Sequence, residues 1–175
     1  LAHLEPVLDD YGEPLPSSGA FAVVFKMKDS QTGKCYALKC FSEDQEGREE
    51  AYRKIADELE SVVTSSYITP VRYLERELFV DCGCTEQEFP VIQMDWIEGD
   101  TLGANVSSHY QDQHAMGILS YRFCQLASWL RSQPFAHGDL KPDNIMVRED
   151  GTLALVDYDG MYVPAMKGEK SPTIG

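Results

Sequence analysis

No hydrophobic run among the 175 residues approaches the roughly 18 to 20 needed to cross a bilayer, so nothing in the sequence reads as a membrane span. Basic charge is also scarce. Fifteen Lys and Arg stand against 29 Asp and Glu, a formal charge of -14, which excludes nucleic-acid binding driven by a general basic field. Cysteines are few and irregularly spaced. Five cannot pair completely, which fits a reducing, cytoplasmic setting better than a disulfide framework. No internal repeat or low-complexity tract occurs, and this excludes solenoid architectures. The chain opens on Leu1 without a signal peptide, and the expectation is a domain trimmed from a longer protein. What remains is 43% apolar and 25% charged, the composition of a folded domain or of two small lobes. Acidity is uneven: residues 1–97 carry 19 acidic and 9 basic side chains, and residues 98–175 carry 10 and 6.

The opening arm holds Pro6, Pro14 and Pro16 and reads as irregular. Phe21 to Asp29 and Cys35 to Phe41 are rich in β-formers and flank the turn SQTGK, which predicts an antiparallel hairpin. Tyr52, Ile55, Leu59 and Val62 recur at helical spacing and predict a helix over about 46–63. Two further strands, VRYLERELFV and FPVIQMDWI, surround a polar turn containing CGC. The sheet expected over residues 1–97 has five strands. Residues 98–175 predict a connector with a short helix, then a longer helix over 113–132 with Leu119, Phe123, Leu126 and Leu130 as its apolar line. Two short strands and a terminal loop follow.

HGDLKPDN, from His137 to Asn144, is the most informative segment. Asp139 and Asn144 lie in one loop, and Asp157 follows the apolar run LALV. Short strands on either side would bring the loop ends together. Asn144 and Asp157 would then share one cation while Asp139 faces a hydroxyl. An amide oxygen and a carboxylate are hard ligands suited to Mg²⁺, which also coordinates phosphate. Lys141 would meet a transferred phosphoryl group. A polar turn with two Asx caps is the alternative for each residue taken alone.

These words together resemble the eukaryotic-type protein kinase superfamily, in a divergent, bacterial-type form. HGDLKPDN is similar to its catalytic loop, VDYDG to its metal-binding motif, YALKC to its lysine-bearing third strand and VIQMDWIEG to the strand and hinge between its lobes. The resemblance implies an α+β fold: a five-stranded antiparallel N-terminal sheet with one main helix over 1–97, and an incomplete, mostly helical C-terminal lobe over 98–175. It implies ATP and Mg²⁺ as cofactors. Asp139 is then the catalytic aspartate with Lys141 beside it, Asn144 and Asp157 hold the metal, and Lys39 meets the α and β phosphates. Met94 resembles the gatekeeper, and backbone groups of Asp95 and Ile97 meet the adenine edge. Glu58 is the partner implied for Lys39, with Glu49 as runner-up.

The sequence departs from the family at several points. Of the glycine-rich loop, aligned on Ser17 through Val24, only Gly19 survives. Gly138 stands where many members carry an arginine that meets a phosphorylated activation loop, and Asp159 where the metal motif has glycine. No later helical lobe follows the metal motif. Leu119, Phe123, Leu126 and Ile145 are therefore expected to lack part of their cover, supplied by a following segment or a partner chain. The implied activity is transfer of the γ-phosphoryl group of ATP to a hydroxyl, of a protein serine or threonine first and of a small molecule second. Turnover is expected of the intact parent rather than of these 175 residues. A non-catalytic, nucleotide-binding scaffold is the competing class.

Overall fold

The structure is a computed structural model that describes residues 3–14, 16–18, 22–41, 47–62, 64–81 and 86–170. The chain forms two compact units, Leu1–Ala56 with Pro70–Trp96, and Asp57–Thr69 with Ile97–Gly175.

The first unit is an antiparallel sheet. Its strands are β1 (Leu4–Pro6), β2 (Pro16–Ser18), β3 (Ala22–Asp29), β4 (Cys35–Phe41), β5 (Val71–Asp81) and β6 (Glu86–Asp95). The spatial order is β1-β3-β4-β6-β5, with β2 also on β3. The expected β3–β4 hairpin forms at SQTGK because Asp29 organises the turn: its carboxylate accepts from Gln31 N at 2.8 Å and Thr32 N at 2.9 Å.

The sheet has six strands, not the five expected, and the arm read as irregular supplies the difference. Leu4–Pro6 pairs with Met27–Asp29, and Pro16–Ser18 pairs with Val23–Phe25. Two short strands therefore share one edge position, and the chain between them loops out. Asp9 closes that excursion by accepting from Tyr11 N and Glu13 N. Its prolines are tolerated because an edge strand pairs on one side only.

Helix α1 spans Arg48–Glu60, shorter than the 46–63 of the sequence pattern. Tyr52, Ile55 and Leu59 are buried as that pattern requires. Val62 lies past the last turn, where its N–H bonds back to Leu59 O. Tyr52 packs on Phe41 of β4 and Tyr73 of β5, at ring separations of 6.2 and 6.5 Å.

The second unit combines helices α2 (Leu102–His109) and α3 (Gln113–Ser132) with a small antiparallel sheet. Its strands are β7 (Asp100–Thr101), β8 (Ile145–Val147) and β9 (Leu153–Leu155), in that order. Thr101 caps α2 through Ala104 N, and Asp112 caps α3 through His114 N and Ala115 N. The expected loss of cover is confined to one residue: Leu119, Leu126 and Ile145 are buried, whereas Phe123 is 36% exposed. Among the described residues no helix is long and apolar enough to cross a membrane. The CGC turn lies outside them.

Candidate functional site

The β8–β9 register builds the site in the second unit. Ile145 faces Leu155, which sets Asn144, just before β8, beside Val156, just after β9. Val156 N donates to Asn144 O at 3.0 Å. Asn144 and Asp157 thus emerge at one end of the hairpin, as the sequence spacing predicts.

Pro142 fixes the first position of a 3₁₀ turn over Pro142–Asn144 and presents the Asn144 side chain to Asp139. Asn144 Nδ2 donates to Asp139 O at 2.9 Å and to Asp139 Oδ2 at 3.0 Å. Lys141 Nζ donates to the same Oδ2 at 2.7 Å. The Lys141 hydrogen bond, reinforced by Asn144, holds the Asp139 carboxyl below the usual carboxylate range. Asp139 in turn pushes the Lys141 ammonium up. The loop therefore carries a carboxylate that stays ionised, with a cation alongside.

His137 is buried. Its Nε2 lies 3.0 Å from Val156 O. A carbonyl only accepts, so Nε2 carries the proton and Nδ1 is the bare nitrogen, buried without a partner. Burial lowers the His137 pKa. The ring is fixed to the backbone beside Asp157, and burial favours its neutral form. Gly138 has φ +79, and a Cβ built there would lie 1.8 Å from Gly160 O. An arginine has no place at this position.

In the first unit, Lys39 sits mid-strand and buried, opposite Val24 and Ile92 in register. Ala37, two residues earlier and on the same face, lies opposite Met94, and both are buried. Lys39 Nζ lies 5.7 Å from the centre of the Phe41 ring. One sheet face thus carries a lysine, a small residue and the proposed gatekeeper in alternation. The Asp95 carboxylate is bound by Lys34 at 2.8 Å, and Trp96 N donates to Cys35 O. Asp95 thereby keeps its side chain on the sheet, away from any role of its backbone. Ile97, in the second unit, is buried.

Glu58 is half-buried on the last turn of α1 and falls in the second unit. Glu49, the runner-up, has its carboxylate 2.6 Å from Arg53, which also reaches Glu75. Gly19, with Ala20 and Phe21 of the glycine-rich loop, lies outside the described residues, whereas Ser17 and Ser18 end β2 and Ala22 opens β3.

The donor set fits Mg²⁺ with a polyphosphate. Both bonds of the Asn144 amide nitrogen go to Asp139, so Oδ1 is the atom that would face a metal, and Asp157 would add a carboxylate. Two hard oxygens suit an ion that keeps its other positions for water and phosphate. Among the described residues no group of three or more His, Cys, Asp or Glu could hold a metal ion.

Sequence reasoning missed the role of the Tyr158 hydroxyl. It is fully buried, donates to Leu155 O at 3.0 Å and accepts from Thr69 N at 3.0 Å. The signal was present: a tyrosine in a buried aromatic position needs a partner for its hydroxyl.

A single-helix antiparallel sheet in one unit and helices bearing this loop in the other make a protein-kinase-like architecture. The protein kinase domain family matches residues 17–169, and the chain belongs to that family. Serine/threonine-protein kinase 32C of Mus musculus is 27% identical over 164 residues, which cover 87% of this chain and 31% of that protein. Probable serine/threonine-protein kinase RTK1 of Saccharomyces cerevisiae is 27% identical over 165 residues, 90% of this chain and 26% of its own length. Probable serine/threonine protein kinase IRE of Arabidopsis thaliana is 27% identical over 143 residues, 81% and 12% respectively. The chain spans about a third or less of the length of these relatives.

Proposed function

We propose that the protein transfers the γ-phosphoryl group of Mg²⁺-ATP to a hydroxyl, with serine or threonine of a protein as the acceptor class. The observation that carries this reading is the convergence of Lys141 and Asn144 on one oxygen of Asp139. An ionised carboxylate held from two sides orients an incoming hydroxyl and accepts its proton as the bond to phosphorus forms. Asn144 and Asp157 would hold the metal, and Lys39 would hold the α and β phosphates. Met94, with backbone groups of Asp95 and Ile97, would receive the adenine, and Gly19 would close over the phosphates. Glu58 would orient Lys39. When bound there, the metal–nucleotide would supply the electrophilic phosphorus and neutralise charge on the phosphate oxygens. Lys141, released from Asp139 by the acceptor, is positioned to meet the charge that develops on the transferred group. The serine/threonine preference rests on the named relatives and on HGDLKPDN. A reducing cytoplasm is the setting that suits the free thiols of Cys35, Cys40 and Cys124.

The test is Asp139→Asn in the full polypeptide. Turnover should fall by about 10²- to 10⁴-fold while ATP affinity stays within a few-fold of wild type. Wild-type protein that binds Mg²⁺-ATP yet phosphorylates no hydroxyl in itself, in added proteins or in small molecules would instead be a nucleotide-binding scaffold.

A further inference from the structure

The chain leaves β1 at Pro6 and returns to the sheet at Pro16. The excursion is closed at its base by the Leu8–Pro14 bridge and by Val7 N, which donates to Lys26 O. Asp9 ties the turn within it. Asp9 N donates to Glu13 O and Gly12 N to Asp9 O, while the Asp9 carboxylate accepts from Tyr11 N at 2.8 Å and Glu13 N at 2.9 Å. All of these ties are made by backbone groups and the Asp9 side chain. The Tyr11 ring takes part in none of them, and it stands 91% exposed at the tip.

Tyr11 differs from the other exposed tyrosines. Tyr110 and Tyr121 are each 65% exposed, and their hydroxyls accept from Gln111 and Gln125 at 3.1 Å. Tyr121 also lies inside α3, where the flanking backbone is helical. Tyr162 is 38% exposed, and its backbone exchanges two bonds with Ala136. Charge separates them further. Three carboxylates lie within two residues of Tyr11, those of Asp9, Asp10 and Glu13, against one for Tyr110 and none for Tyr121 or Tyr162. Asp9 is occupied by the turn, whereas Asp10 and Glu13 are exposed.

We propose that Tyr11 is a phosphorylation site, the acceptor for a tyrosine-directed kinase whose substrate cleft is cationic. The phenolic oxygen forms a bond to the γ-phosphorus of that enzyme's ATP, the bond from this phosphorus to the bridging oxygen of ADP breaks, and the phenol proton passes to a base of that enzyme. Asp10 and Glu13 steer a basic cleft to the tip and set Tyr11 apart from the other tyrosines. The ring enters the cleft with no loss of tertiary contact, so the fold accommodates an added charge of about -2. The site is independent of the role given to Asp139.

The experiment uses the full polypeptide carrying Asp139→Asn, so that label comes from the added enzyme. It is incubated with Mg²⁺-ATP and a tyrosine kinase that prefers acidic flanks, and the labelled residues are mapped by mass spectrometry over time. The initial rate at Tyr11 should exceed the rates at Tyr110, Tyr121 and Tyr162 by about tenfold or more. In the double variant Asp10→Lys, Glu13→Lys, the Tyr11 rate should fall about tenfold with the other three unchanged. The melting temperature of the phosphorylated protein should match that of the unmodified one. Absence of label at Tyr11, equal rates at the four tyrosines, or an unchanged rate in the double variant overturns the proposal. Loss of cooperative melting on labelling overturns it as well, because the phenol would then belong to the fold.

Discussion

Asp139 and Lys141 are two residues apart, and their hydrogen bond decides the protonation state of the loop. Lys141 is the largest cause of the lowered Asp139 pKa, and Asn144 adds to it. The sign follows directly. A depressed pKa keeps the carboxylate ionised from neutral pH down through the ordinary carboxylate value, and the proton-accepting form is lost only as pH falls through the lowered one. The acidic limb of kcat/KM should therefore lie below the usual carboxylate range. In Lys141→Met that limb should move upward, toward the ordinary carboxylate range. Carboxyl-carbon NMR of Asp139 measures the same shift without turnover. An unmoved titration in Lys141→Met would mean that the 2.7 Å contact does not govern the carboxylate. The pair is partly exposed, with side-chain exposures of 49% and 35%, so it sets protonation far more than it adds stability.

At the scale of elements, helix α3 separates what a periodic pattern can and cannot reveal. The spacing of Leu119, Phe123, Leu126 and Leu130, with Pro134 beyond, placed the helix at Gln113–Ser132, where it lies. Periodicity identifies a face but not how completely that face is covered. Leu126 is fully buried and Phe123 is 36% exposed, although both belong to the apolar line. Leu126→Ala should cost about 2–5 kcal/mol, because a cavity opens where the core cannot close. Phe123→Ala should cost about 1 kcal/mol or less, since its ring already meets water. Urea denaturation of the two variants gives the comparison, and equal losses would show that exposure does not rank them. The arm taught the opposite lesson. Its three prolines masked β1 and β2, because proline forbids a central strand but not an edge. The hairpin that carries Asn144 and Asp157 was legible for a simple reason: they flank two short apolar runs whose pairing needs only local chain. The Tyr158–Thr69 bond was illegible because a separation of 89 residues leaves no trace in any window.

At the scale of the whole molecule, charge is the property least apparent in any single site. The formal charge is -14, and the excess of acid is concentrated in residues 1–97. Several cations are already committed to local pairs: Lys34 with Asp95, Arg53 with Glu49 and Glu75, and Lys54 with Glu50. Each exposed pair contributes about 0–1 kcal/mol, and salt weakens it. The net acidic excess acts in the other direction, because its mutual repulsion penalises the compact state and is screened over the Debye length of about 8–10 Å at physiological ionic strength. With carboxylates outnumbering cations nearly two to one, repulsion is the larger effect. Sodium chloride raised from about 0.01 M to about 0.15 M, where the Debye length falls from roughly 30 to 8 Å, should therefore increase the melting temperature. A fall in Tm on adding salt would mean that the surface pairs outweigh the repulsion. Magnesium chloride at matched ionic strength, with an ATP analogue present, should stabilise further by mass action. That additional increment should disappear in Asp157→Asn while the sodium chloride increment persists, because the proposed metal site would account for the one and screening over the whole surface for the other.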